Sequence, residues 1–336
     1  MTTGFTHPVR IRRYAAALTA LAVGVLAPRA AHAQRAEGSF QRSVTVTASA
    51  DVDVVAGSGS IEVRQGAAGR VEISGRIRAD GQWGWRPSQL SPAERVRQLE
   101  ANPPVEQRGN TVRIGYIAQD ALRNSVSVSY VVTVPPGTTL RTNTGSGSQE
   151  IDVDGSVEAR SGSGSLKIRR AGELRANTGS GGITADTVTG ALTATAGSGS
   201  IRIASVGGAI AARTASGGIE ITQAGRGDVH VSSSSGTVRV RGIHGGLDAS
   251  TSSGGLDVQG EMSASWRLSA SSGHVRVDLP KGQRFTLDAN SSSGHIDVDF
   301  PMTVQGRVDR RSVRGAIDGG GPLLHVRTSS GGISIQ

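Results

Sequence analysis

A serine-glycine pair recurs along this 336-residue chain at a spacing that sets the size of its structural unit. The glycines are Gly59, Gly147, Gly164, Gly181, Gly199, Gly217, Gly236, Gly254, Gly273, Gly294 and Gly331, and each follows a serine. From Gly147 to Gly294 the steps are 17, 17, 18, 18, 19, 18, 19 and 21 residues, and the last gap of 37 is close to two periods. Repeats of this length cannot bury a core alone, so they fold by stacking on their neighbours.

The columns around each glycine agree better than the spacing. Seven residues before it the side chain is large, as in Leu192, Ile210, Val229, Leu247, Trp266, Leu287 and Leu324. Five before it stands mostly Ala or Val, three before it only Ala, Thr or Ser, and one before it always Ser. Positions two and four after it are apolar in nearly every copy, for example Ile201 and Ile203, Val238 and Val240, Ile333 and Ile335. The Gly147 copy departs, with Gln149 followed by Ile151 and Val153. Alternation by two with β-branched residues is the signature of strands. Each repeat therefore predicts a strand, a corner at Ser-Gly and a second strand, with the inward column narrowing to a thin wedge. A side chain at the corner would clash or meet a positive φ. In "VHVSSSSGTVRV", Val229, Val231, Ser233 and Ser235 are expected inside, Ser232 and Ser234 outside, with Val238 and Val240 continuing the core beyond Gly236.

An antiparallel meander and a parallel solenoid both fit this unit. The outward third position after the glycine favours the solenoid: Arg202, Glu220, Arg239, Asp257, Arg276 and Asp297 alternate in sign. Opposite charges on adjacent coils, about 4.8 Å apart, attract. The expected fold is all-β, a single-stranded parallel β-solenoid of about 18-residue coils. Eleven or twelve such coils would extend roughly 50 to 60 Å.

Three segments are expected. Residues 1–33 read as a cleaved export signal, with Arg10, Arg12 and Arg13, an apolar run from Tyr14 to Ala27, and "AHA" before Gln34. That run is too short to span a bilayer, and no later segment is apolar enough to cross one. Residues 34–140 form a β region whose repeat is interrupted, and 141–336 carry the regular coils in continuity with it. The interruption holds "SPAERVRQLEANPP", with Ser91 as N-cap, Pro92 in the first turn, Glu94 closing a capping box, and Pro103 and Pro104 as a stop. It predicts one short helix over about 91–102 that packs Val96 and Leu99 on the body and caps an end or edge. The nearby pair Trp83 and Trp85 fits packing under that helix, with a binding patch as the alternative.

Function is much less constrained. Export permits disulfides, yet the chain has no cysteine, so packing and backbone pairing must hold it. The formal charge of +9 falls to +5 without the four arginines of the leader, and aromatics are 3% of residues. A dispersed basic excess without stacking aromatics argues against nucleic acid. His274 and His295, each one after its glycine, are weak metal candidates on what sequence order makes consecutive coils. Two ligands fall short of a zinc site, and the other histidines, His230, His244 and His325, read as surface residues. Nucleophile elbows, phosphate loops and calcium nonapeptides are absent, so neither an enzyme nor a cofactor is expected. "RGD" at Arg226–Asp228 is too short a motif to carry weight.

The run "VTVPPGTTLRTNTGSGS" (Val132 to Ser148), the "TxSGxIxI" units and the closing "AIDGGGPLLHVRTSSGGISIQ" resemble the exported bacterial β-strand-repeat, adhesin-like proteins grouped as domain of unknown function 4097. The resemblance runs from about Val44 to Gln336. It implies a right-handed parallel β-helix with an envelope or surface role and supplies no catalytic residues. The family's "SGD" turn is here mostly SGG, SGS, SGT or SGH, which weakens turn-bound cations. The leading expectation is an exported, non-catalytic protein of the periplasm or cell surface that binds an envelope protein or a surface glycan. The alternatives are a periplasmic scaffold or envelope-stress sensor and, further off, a polysaccharide-active enzyme with an acid-base cluster across coils.

Overall fold

The computed structural model describes Met1 and residues 35–47, 49–81, 90–123, 125–304 and 310–336. The rest of the expected leader, and Trp83 and Trp85, lie outside the described residues.

The two strand runs of each repeat separate into a 15-stranded and a 14-stranded sheet, and twelve successive strands of each are parallel. Strands that precede a corner glycine enter the first sheet. Val229–Ser233, for instance, lies between Ile210–Thr214 and Leu247–Thr251. Strands that follow it enter the second, where Val238–His244 lies between Ile219–Gln223 and Leu256–Glu261. Coils stacked in parallel make a β-solenoid and exclude the meander. The core is the thin wedge between the sheets, with Val229, Val231, Val238 and Val240 all buried. Within it Trp266 is 1% exposed and donates Nε1–H to the Gly245 carbonyl at 2.9 Å.

The inward alternation stops earlier than the sequence predicts. Ser233 is buried but Ser235 is exposed, as is the serine before each of the other ten corner glycines. The chain turns between the third position and the glycine, so the period of two no longer reaches the first. Hydrogen bonding between coils falls instead to the hydroxyls three before the glycine. Thr214 Oγ1 donates to Gly199 O (3.0 Å) and accepts from Gly217 N (3.2 Å); Ser233 Oγ does the same with Gly217 O (3.0 Å) and Gly236 N (2.8 Å). Thr178, Thr251, Ser291 and Thr328 repeat the pattern. One buried hydroxyl thus closes its own corner and clips it to the neighbouring one. Thr214→Val keeps the shape and strands both backbone groups. It is expected to cost about 1–3 kcal/mol in urea denaturation.

The corner glycines are required by close approach. None has a positive φ, yet a Cβ on any of the eleven would fall on a backbone carbonyl of the adjacent coil.

Coil order departs from sequence order at both ends. Naming coils by their glycine, the Gly59 coil lies against the Gly147 coil on one side. Its other side meets a later layer made of Thr111–Ile114 and Val126–Val134. At the far end, the Gly331 coil inserts between the Gly273 and Gly294 coils: Trp266 pairs with Leu324, which pairs with Leu287. The 37-residue gap is therefore a hairpin and a return, in place of an extra coil. The charge column is corrected accordingly. Arg202, Glu220, Arg239, Asp257 and Arg276 are successive neighbours, but Ser334 separates Arg276 from Asp297. Arg239 and Asp257 approach to 3.7 Å at the surface, where such a pair is worth less than ~1 kcal/mol.

Among the described residues antiparallel strands cover three of the four sheet ends, and the fourth edge is the parallel strand Ile296–Val298. Arg70–Ala79 lies on Val126–Val134, and Ala36–Thr45 lies on it in turn. At the opposite end Ser312–Ile317 lies on Phe285–Ser291 and pairs with Met302–Val304. The expected helix is Pro92–Ala101, with the Ser91–Glu94 capping box formed and Val96 and Leu99 buried. A second helix of one turn, Asp120–Arg123, was not predicted. The first helix and the strand Val105–Arg108 guard the outermost strand: Glu100 of the helix accepts from Ser39 N–H at 2.9 Å, and Gln107 of the strand donates to Thr45 O at 2.7 Å. These contacts occupy edge groups that would otherwise be open to another chain.

Candidate binding groove

A groove of about 1180 Å³ runs along the stack where the first sheet bends into the Ser-Gly corners. It crosses seven coils, from the Gly199 coil to the Gly294 coil. Two outward rows form its floor. Four before the glycine stand, in spatial order, Arg213, Ser232, Ser250, Ser269, Arg327 and Asn290. Two before it stand Ser234, Ser252, Ser271, Ser329 and Ser292, all exposed. Elsewhere in the stack that second row is glycine (Gly57, Gly145, Gly162, Gly179, Gly197), with Ala215 at the change. In those five coils there is no hydroxyl to present; over the next five after Ala215 there is one per step of about 4.8 Å.

The hairpin strand closes one end with Arg311, Ser312 and Arg314. Arg213 Nε donates to Ser232 Oγ at 3.1 Å, and Ser312 Oγ donates to Asn290 Oδ1 at 2.9 Å. Behind the floor, Asp288 accepts from Arg314 Nε and Asn290 Nδ2, both at 2.9 Å, and meets His325 Nδ1 at 3.1 Å. Burial opposes ionisation of Asp288, but these hydrogen bonds and the Arg314 charge outweigh it and hold the carboxyl below its usual range. Among the described residues four arginines line the groove and no carboxylate does. None of the described lining residues is aromatic, so recognition by them rests on hydroxyls and guanidiniums.

The other sequence candidates do not assemble a site. His274 and His295 are separated by the Gly331 coil, with Gly332 between them, so they stand two coil steps apart, about 10 Å. The consecutive placement is thus corrected, and His295 Nε2 instead meets Asp297 Oδ2 at 3.2 Å. Among the described residues no group of three His, Cys, Asp or Glu could hold a metal ion. Asp228 of the RGD run accepts from Gly246 N at 3.0 Å, tying it to the next coil. His244, Glu261 and Asp278 line a separate hollow of about 540 Å³, with His244 and Glu261 at 3.5 Å. The carboxyls whose pKa is displaced all move down: Glu94 through the Ser91 N–H, Glu150 through Arg169, Asp154 through the Gly137 N–H, and Asp288 as above. A general acid needs the opposite shift.

Sequence inspection missed the groove, although its signal was visible in the switch from glycine to serine two before the corner. The continuity of the row was hidden, because Ser329 fills its place between Ser271 and Ser292 only through the inserted coil.

No curated protein matches this chain. Three solved structures align over 89% of it at 10% identity. They are a protein provisionally described as a cell adhesion protein from Clostridium sporogenes (99% of that chain, TM-score 0.20), one provisionally described as an adhesin from Parabacteroides distasonis (97%, TM-score 0.36), and a similarly described adhesin from Bacteroides fragilis (97%, TM-score 0.30). These superpositions are too distant to bear on function. Residues 100–336 match the family described as Toastrack DUF4097, with the stacked coils from Thr111 onward inside the matched span, and the chain belongs to that family.

Proposed function

We propose that this protein is an exported, non-catalytic binding protein of the cell envelope that holds a linear polar partner along its groove. The groove carries the proposal: it is long, polar and open, it follows the stack axis, and its described lining residues contain no acid-base pair. The leader-like stretch with "AHA" before Gln34 supports export, and no described helix is long and apolar enough to cross a membrane. The resemblance of its repeats to exported bacterial β-strand-repeat proteins supports an envelope role.

The test is retention of surface polymers by the purified protein, compared with Ser250→Tyr/Ser252→Tyr, whose rings would fill the middle of the groove. The wild type is expected to retain a polymer that the filled variant releases. Retention no better than that of a protein of scrambled sequence, or equal retention by both forms, would defeat the proposal. A sensor role would show differently, as a deletion strain with altered envelope-stress output and unchanged attachment.

A further inference from the structure

We infer that the groove's ligand is a linear acidic polysaccharide, lying parallel to the stack and held at its anionic groups by Arg213 and Arg327; this rests on the proposed function above. Charge comes first. Arg213, Arg314 and Arg327 face the groove with no carboxylate among its described lining residues; behind that lining Asp288 already serves Arg314, Asn290 and His325, and Asp248 stands in the adjoining hollow that shares Arg213, Ser232 and Ser250. A groove with one sign of charge concentrates the opposite sign.

The rows give the ligand's shape. Arg213 and Arg327 occupy the same outward row with Ser232, Ser250 and Ser269 between them, four coil steps or about 19 Å apart. A ligand that reaches both is extended and crosses three hydroxyl-bearing coils. Serine hydroxyls donate and accept, which suits a polymer that carries hydroxyls between its charges. The competing polymers lack partners here. A peptide added as an extra strand would need open backbone groups, but these strands are paired on both sides within the sheet. Single-stranded nucleic acid would need aromatic platforms, and none is among the described lining residues.

Binding can be measured by titration calorimetry with four probes: polygalacturonate, dextran sulfate, neutral dextran and polyglutamate. The full protein is compared with Arg213→Gln/Arg327→Gln and with Ser250→Tyr/Ser252→Tyr, each checked for an unchanged melting transition. Polygalacturonate or dextran sulfate should bind, and the probe that binds identifies carboxylate or sulfate as the preferred anion. The double glutamine variant should lose tenfold or more in affinity, since it removes the charge-assisted hydrogen bonds of both guanidiniums. Affinity should fall with salt.

Neutral dextran binding as tightly as the charged glycans, with no effect of the glutamines, would overturn the acidic ligand and leave the groove standing. Polyglutamate binding as tightly as polygalacturonate would overturn the glycan. Charged glycans that bind the tyrosine-filled variant unchanged would remove the groove itself. Absence of binding by every probe would overturn the inference.

Discussion

Gly236→Val is expected to cost about 4 kcal/mol or more, enough to remove most of the stability of an ordinary domain, while Ser234→Ala shifts it by no more than about 0.5 kcal/mol. The two positions are two residues apart in a run of serines and look interchangeable as text. In the stack, a Cβ at Gly236 falls on the Gly217 carbonyl, with the Gly217 carbonyl carbon and the Gly218 nitrogen close behind. All three are backbone atoms of a neighbouring corner that is itself clipped by Thr214 and Ser233. No rotamer change relieves that clash; the coils would have to part. Ser234 points into the groove and is exposed. Urea denaturation of both variants checks this, and equal midpoints would overturn the corner assignment.

Removal of residues 322–336 is expected to cost more than loss of a last repeat. In a sequentially stacked solenoid the deletion would strip one interface, leaving the Gly294 coil protected. Here the deleted strands Leu323–Thr328 and Ile333–Ile335 hold the Gly273 coil on one side and the Gly294 coil on the other. Two interfaces vanish, and residues 285–298 lose their parallel partners in both sheets. Hydrogen exchange should show residues 285–317 exchanging freely in the truncated protein, with the Gly164 to Gly236 coils still protected. Native-like protection at Leu287 and Ala289 would refute the interleaved order.

Much of the fold is legible in the sequence because the columns are physical. The −7, −5 and −3 positions and the two apolar residues after the glycine are inward where predicted, and the Ser91–Glu94 box marks the helix. The order of the coils is not legible. Every coil presents the same corner, the same hydroxyl clip and similar apolar rows, so Leu324 fits beside Trp266 as well as Leu287 would. The serine before the glycine, the most regular column of all, misleads for a related reason: regularity marks the corner and says nothing of which side of it faces the core. The groove needed both missing pieces, the turn after position −3 and the spatial succession Ser271, Ser329, Ser292.

The interleaved ends also set when the molecule can be finished. Residues 51–65 wait for 126–134 and 139–152 before either flank is covered, and residues 285–298 wait for 323–335. A chain that emerges from its N-terminus can assemble its middle coils one after another, but neither end is complete until later residues arrive. The Gly331 coil, made after the Gly294 coil, is also the one that locks it in place. A duplicated repeat is therefore accommodated most simply between the Gly147 and Gly273 coils, where order along the chain and order in the stack agree.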